Sequence, residues 1–150
     1  MKTVRVESTR LINAPVQTIY EILADFEDAH VAILPRQYFR AIKLLSGGQG
    51  AGTVYQLQMV VSGQTYDYEM HVSEPVPGRE LLEVSSDGAV RTVMRVEPAG
   101  ANGDSQVTII SDFTSEPGFM GWLQRLFQPA IVRRIYREEL DNLAQYAATH

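Results

Sequence analysis

The sequence reads as one α+β domain, an antiparallel sheet packed on a single long C-terminal helix. Three observations predict this. The middle of the chain is a succession of short, alternating apolar and polar runs broken by turn dipeptides. Only one stretch, Glu116 to His150, carries a long helical pattern. The 150 residues contain no internal repeat, low-complexity tract or linker, so 1–150 is one domain, large enough to bury a substantial core.

The elements follow in order. Val4 to Ile12 alternates as a strand. Asn13-Ala14-Pro15 reads as a helix start, with Pro15 early, where a missing N–H costs nothing. Ile19, Ile22, Leu23 and Phe26 then fall at helical spacing and predict a short amphipathic helix to about Asp25. A second short helix or turn is expected from Glu27 to Leu34, ending before Pro35.

Tyr38 to Leu45 is the next strand, followed by a glycine-dense loop from Ser46 to Gly52. Thr53 to Val61 and Gln64 to Val72 flank Ser62-Gly63, a two-residue hairpin signal. Glu74-Pro75-Val76-Pro77-Gly78 breaks the next connection. Glu80 to Ser85 and Ala89 to Glu97 flank Asp87-Gly88, a second hairpin signal, and Gln106 to Thr114 is the last strand. In the terminal helix Leu126, Tyr136, Leu140, Leu143 and Ala147 lie near one line from Trp122 onward, with Arg133 near its middle. Pro129 interrupts that line as a kink or a start.

Composition excludes several classes. A formal net charge of −5 with scattered basic residues argues against a nucleic-acid surface. The absence of Cys removes disulfides, thiolate nucleophiles and Cys-based metal sites. His30, His71 and His150 fall on separate elements, so no metal site is expected. The N-terminal residues show no signal peptide, and no apolar run approaches the ~20 residues that span a bilayer, so stable membrane insertion is not expected and the expectation is a cytoplasmic protein.

The Ser62-Gly63 turn fixes a register. Val61 then pairs with Gln64, which places Tyr55, Leu57, Met59, Tyr66, Tyr68 and Met70 on one face. Gln56, Gln58, Asp67, Glu69 and His71 occupy the other. The first face is either packed core, with Tyr and Met as fillers, or the wall of a pocket for a hydrophobic ligand. Alternation reports burial and not emptiness, so the pattern alone favours core.

This ordering resembles the START/Bet v 1-like superfamily (SRPBCC), in particular its polyketide cyclase/dehydrase and lipid-transport group. The resemblance rests on Ile12-Asn13-Ala14-Pro15 with Ile19 to Asp25, on Gly50-Ala51-Gly52-Thr53, on Glu74-Pro75 with Pro77-Gly78-Arg79, and on the terminal helix. It covers essentially the whole chain. Phe26 to Pro35 departs from the aromatic-rich segment that many relatives carry there. The resemblance implies a helix-grip fold, a curved sheet of about six to seven strands around the long helix, with a cavity between them. It shifts the Tyr/Leu/Met face from core towards pocket wall.

The expected activity is binding or transport of a hydrophobic or amphipathic small molecule such as a lipid, polyketide or isoprenoid-like compound. Tyr55, Leu57, Met59, Tyr66, Tyr68, Met70, Trp122 and Tyr136 would form the wall, and Arg133 would pair with an anionic ligand group through its planar fork. Arg133 could equally snorkel outward. No cofactor is expected. A cyclase or dehydratase is the alternative, and it needs a cavity acid or base. No catalytic motif is visible; Glu83 and Asp112 have undetermined facing and read first as surface carboxylates. Phe119 to Phe127 exceeds the apolarity one face requires, which fits a mouth-lining lid, a homodimer contact, a protein-interaction module or a membrane-touching patch.

Overall fold

The computed structural model describes residues 2–115 and 129–150, without the side chains of Lys2 and Ser115. The elements are β1 (Lys2–Ile12), α1 (Val16–Ala24), α2 (Ala29–Ile33), β2 (Phe39–Ser46), β3 (Val54–Val61), β4 (Gln64–Val76), β5 (Glu80–Ser85), β6 (Val90–Ala99), β7 (Asp104–Ser115) and α3 (Pro129–Thr149). The seven strands form one antiparallel sheet in the order β1-β7-β6-β5-β4-β3-β2. Strands 2 to 7 are a meander; β1 closes onto β7, and the two short helices carry the chain from one sheet edge to the other. The helix α3 packs across β1 and against α1 and α2. This is the helix-grip fold that the resemblance implies.

Local chemistry sets these elements. Ser62 (φ 52°) and Gly63 (φ 78°) both take positive φ, the conformation a two-residue hairpin turn demands. Tyr55 consequently pairs with Met70, Leu57 with Tyr68 and Met59 with Tyr66. The β5–β6 connection is longer than a two-residue turn. Asp87 there accepts hydrogen bonds from Ser85 Oγ (2.7 Å) and the Ala89 N–H (3.0 Å), closing a four-residue loop. The strand β4 continues through Pro75 to Val76, beyond the predicted break, because a register shift between Ser73 and Val76 frees Pro75 from donating to the ladder.

The glycine loop is held by backbone contacts to the end of α1. Gly50 N–H donates to Ala24 O and Phe26 N–H to Gly48 O, both at 2.8 Å. Asp25 accepts from the backbone N–H groups of Glu27, Asp28 and Ala29 and so leads the chain into α2. The core lies between the inner sheet face and the helices, and includes Val6, Ile19, Leu23, Leu81, Val96, Ile109, Leu140 and Leu143. Burying each large aliphatic side chain is worth about 1.5–3 kcal/mol, which is what fastens α3 to the sheet. The opposite sheet face is polar, with Arg5 paired to Asp112 (2.8 Å) and Arg95 to Glu80 (2.9 Å).

Candidate functional site

The inner sheet face and α3 do not meet everywhere. Between them lies a cavity of about 80 Å³. Leu57, Met59, Val61, Met70, Val90, Met94 and Phe113 supply its sheet wall; Val132, Ile135 and Tyr136 supply its helix wall; His30, Leu34 and Phe39 close one side. The lining is overwhelmingly apolar, and three of its members are methionines, flexible side chains that adapt their shape to a neighbour.

Two carboxylates interrupt this surface. Glu83 projects from β5 and is 4% exposed; Glu139 projects from α3 and is 2% exposed. Strand pairing explains Glu83. It lies opposite Val72, and cross-strand partners share a face, so it points the same way as the buried Val72 and Met70. The Tyr55 hydroxyl, itself buried, donates a short hydrogen bond to Glu83 Oε1. Burial first, and then the nearby Glu83 charge, push the Tyr55 hydroxyl well above its ordinary pKa, so it remains a donor.

Glu139 is placed differently. Its Oε2 is buried without a hydrogen-bond partner among the described residues. Burial, and secondarily the charge of Glu83, raise its pKa from 4.5 to about 8. A buried carboxyl without a counter-ion gives up its charge rather than bear the cost of desolvation. At neutral pH Glu139 is therefore largely a neutral acid, able to donate a proton or a hydrogen bond into the cavity.

Several other polar groups near the cavity hydrogen-bond one another or the backbone. Thr92 Oγ1 lies 2.6 Å from Ser111 Oγ, which in turn makes a short hydrogen bond with the Tyr136 hydroxyl. His30 Nδ1 donates to the Leu23 carbonyl (2.5 Å) while its ring stacks on Phe26 at 4.3 Å, so this histidine fastens α2 to α1. Burial raises the pKa of the Tyr68 hydroxyl. No cluster of three His, Asp or Glu side chains among the described residues is placed to hold a metal ion.

A sequence-family model described as polyketide cyclase/dehydrase and lipid transport matches residues 3–148. The chain belongs to this family. Members of the wider fold are recognisable among solved structures. The KanY protein (ms6282) is 29% identical over 99% of both chains, with a TM-score of 0.84. The protein TTHA0849 of Thermus thermophilus is 18% identical, covering 97% of this chain and 98% of its own, with a TM-score of 0.78. The Zhui aromatase/cyclase of Streptomyces sp. R1128 is 20% identical, covering 98% and 94%, with a TM-score of 0.75. The last two likenesses are of fold alone. No curated protein matches the sequence.

Within this member of the family, the expected site residues divide into groups. Tyr55, Leu57, Met59, Tyr68, Met70 and Tyr136 all line the cavity. Tyr66 is buried on the same face but is not part of the lining. Trp122 and the Phe119 to Phe127 patch lie outside the described residues.

Arg133 is on the exposed side of α3 and does not reach the cavity. Its expected place in the apolar stripe comes from a line drawn from Trp122 and Leu126 through Pro129. The buried residues of α3 itself (Val132, Ile135, Tyr136, Glu139, Leu140 and Leu143) centre on a different phase. At 3.6 residues per turn, Glu139 lies only about 20° from Val132 and about 40° from Leu143. The helical phase taken from residue 129 onward would have shown the acid on the buried face.

Glu83 likewise corrects the surface reading given to it, whereas Asp112 is on the outer face. There the Arg5 hydrogen bond lowers the Asp112 pKa against the opposing effect of burial. Carrying the Ser62-Gly63 register one strand further, onto β5, would have found Glu83.

Proposed function

We propose that this domain binds a small hydrophobic or amphipathic molecule in the cavity between sheet and α3, with the polar end of the molecule turned towards Glu83 and Glu139. The observation that carries this reading is a cavity with apolar walls and, among the described residues, two acids in its lining, one of them holding an oxygen with no described partner. That is the composition of a small-molecule site: apolar bulk for affinity and a few placed polar groups for orientation. A core built only for stability would put Leu at 139.

The space of about 80 Å³ is well below the roughly 300–1,000 Å³ that drug-sized ligands occupy. Binding therefore goes with rearrangement of the wall, and Met59, Met70 and Met94 are the side chains suited to it. Titration with the neutral fluorophore N-phenyl-1-naphthylamine tests the reading. Saturable enhancement at one probe per chain is expected, and it falls at least tenfold in affinity in Met59→Trp, which fills the cavity from a partly exposed wall position. Unchanged binding by that variant would place the site elsewhere.

A second reading, turnover of a cyclase or dehydratase kind, is favoured by one specific observation: Glu139 is an acid held near pKa 8 inside an apolar cavity. Acid–base catalysis is most effective when the group titrates near the working pH. With an enolisable ketone bound, Glu83 would accept the Cα proton as Glu139 donates to the carbonyl oxygen, giving the enol; the reverse step restores both groups. Deuterium exchange into 2-tetralone, followed by NMR, tests this. Acceleration over buffer that disappears in Glu139→Gln supports turnover; no acceleration leaves binding alone.

A further inference from the structure

We propose that the cavity selects its ligand by head-group charge, taking an apolar amine whose ammonium group bridges Glu83 and Glu139 and excluding carboxylates and phosphates. The inference rests on the binding role proposed above and gives it a substrate class. It also inverts the sign expected from Arg133, since the cation lies outside the cavity and the acids lie inside it.

The argument is an inventory of what faces the site from each packed element. Strand β3 brings Tyr55, β4 brings Tyr68 and β5 brings Glu83; α2 brings His30, and α3 brings Tyr136 and Glu139. Strands β2, β6 and β7 contribute Phe39, Thr92 and Phe113, none of them ionisable. No Lys or Arg is among the described residues of the lining. An anionic head group would find two acids and no counter-ion, in a medium where an unpaired charge is strongly disfavoured.

A donor finds the opposite. Among the described residues Glu139 Oε2 is buried without a partner, and Tyr55 donates to Glu83 Oε1. An ammonium carries three N–H donors and a compensating charge, and can serve both acids. His30 has its Nδ1 committed to the Leu23 carbonyl and its ring stacked on Phe26. A hydroxyl would satisfy the oxygen without relieving the charge, so it ranks second.

Proton balance gives this selection a signature. Glu139 carries its proton up to about pH 8 in the empty protein. Seating an ammonium beside it expels that proton, so amine binding strengthens with pH, up to about tenfold for each unit below the carboxyl's own titration. A neutral alcohol releases no proton and binds with little pH dependence.

Three compounds with one apolar body test it by calorimetry at pH 6.0 and 7.5: 2-naphthylmethylamine, 2-naphthylmethanol and 2-naphthoic acid. The amine is expected to bind at least tenfold tighter than the acid, with the alcohol between them, and to gain at least fivefold from pH 6.0 to 7.5. Glu139→Gln removes the pH gain and most of the amine's lead. Glu138→Gln, the same charge change one position away, keeps both. Acid binding as tight as amine binding, or a pH gain that survives in Glu139→Gln, overturns the proposal. So does failure of all three compounds while N-phenyl-1-naphthylamine still binds, and in that case the cavity-binding reading stands. If none of the four binds, both fall.

Discussion

Replacing Glu139 by Gln should make the protein more stable near neutral pH, although it alters a fully buried side chain. Gln matches Glu in shape but never ionises. In the folded chain Glu139 holds its proton to about pH 8, whereas an unfolded chain releases it near 4.5. Between those values the unfolded state has lost a proton that the folded state keeps, so each rise in pH favours unfolding. The slope approaches about 1.4 kcal/mol per pH unit, and from pH 5 to pH 7 the loss amounts to roughly 2–3 kcal/mol. Below pH 4.5 it disappears, and above pH 8 it levels off.

Urea unfolding of both proteins at pH 5, 6 and 7 reads the difference directly, since titrating groups that do not interact with Glu139 cancel in the comparison. Relative to Glu139→Gln, the wild-type protein should lose roughly 2–3 kcal/mol over that range, a relative shift of the urea midpoint of about 1–2 M. Asp25, Asp87 and Asp112, all with lowered pKa values, act below pH 4 and leave this window clear. A difference constant to within about 0.5 kcal/mol from pH 5 to 7 would refute the claim that Glu139 is buried without its charge.

Other consequences are equally concrete. In Glu83→Gln, carbon-detected NMR titration of the Glu139 carboxyl should give a value below 8 but still above 4.5, because burial is the larger cause and the Glu83 charge the smaller. Arg133→Ala and Asp112→Asn should each leave N-phenyl-1-naphthylamine affinity within twofold of wild type, one being on the exposed helix face and the other on the outer sheet face. A fivefold loss in either would return it to the site. Gly50→Ala should cost about 2–4 kcal/mol in urea unfolding, from positive φ in a non-glycine residue and the loss of a charged hydrogen bond. Gly50 has φ 57°, and an added Cβ would meet Glu74 Oε1 at 2.0 Å, displacing the carboxylate that accepts from Ala51 N–H (2.7 Å) and the Tyr20 hydroxyl (2.8 Å).

Most of the architecture is legible in the sequence because it is specified locally. The pair Ser62-Gly63 dictates a turn, the turn a register, and the register puts Tyr55, Leu57, Met59, Tyr68 and Met70 on the cavity side. Glu83 is harder to find because Leu81 and Leu82 are adjacent and both buried, which hides the alternation of β5 unless it is read against β4. Glu139 is hidden by habit of pattern: an acid among hydrophobic residues is assigned to the wet side of a helix, and a line carried through Pro129 moves the apparent stripe towards Arg133. Whether a face encloses space or packs solidly is decided by the fit of sheet to helix, which no single strand or helix encodes.

The acids are the main support for the proposed site. Leucine at 139 would bury apolar surface worth about 1.5–3 kcal/mol, whereas the acid makes stability fall with pH. A second acid, Glu83, raises that cost further through its charge, and neither is offset by a cation on the described cavity wall. Two such departures from core chemistry lie on different elements, β5 and α3, yet converge on one space. Local rules of folding are most informative where they fail together, because such failures concentrate where binding or catalysis needs them. The ligand that relieves the cost should stabilise the fold as it binds, and an amine should do so more strongly at pH 7.5 than at pH 6.0.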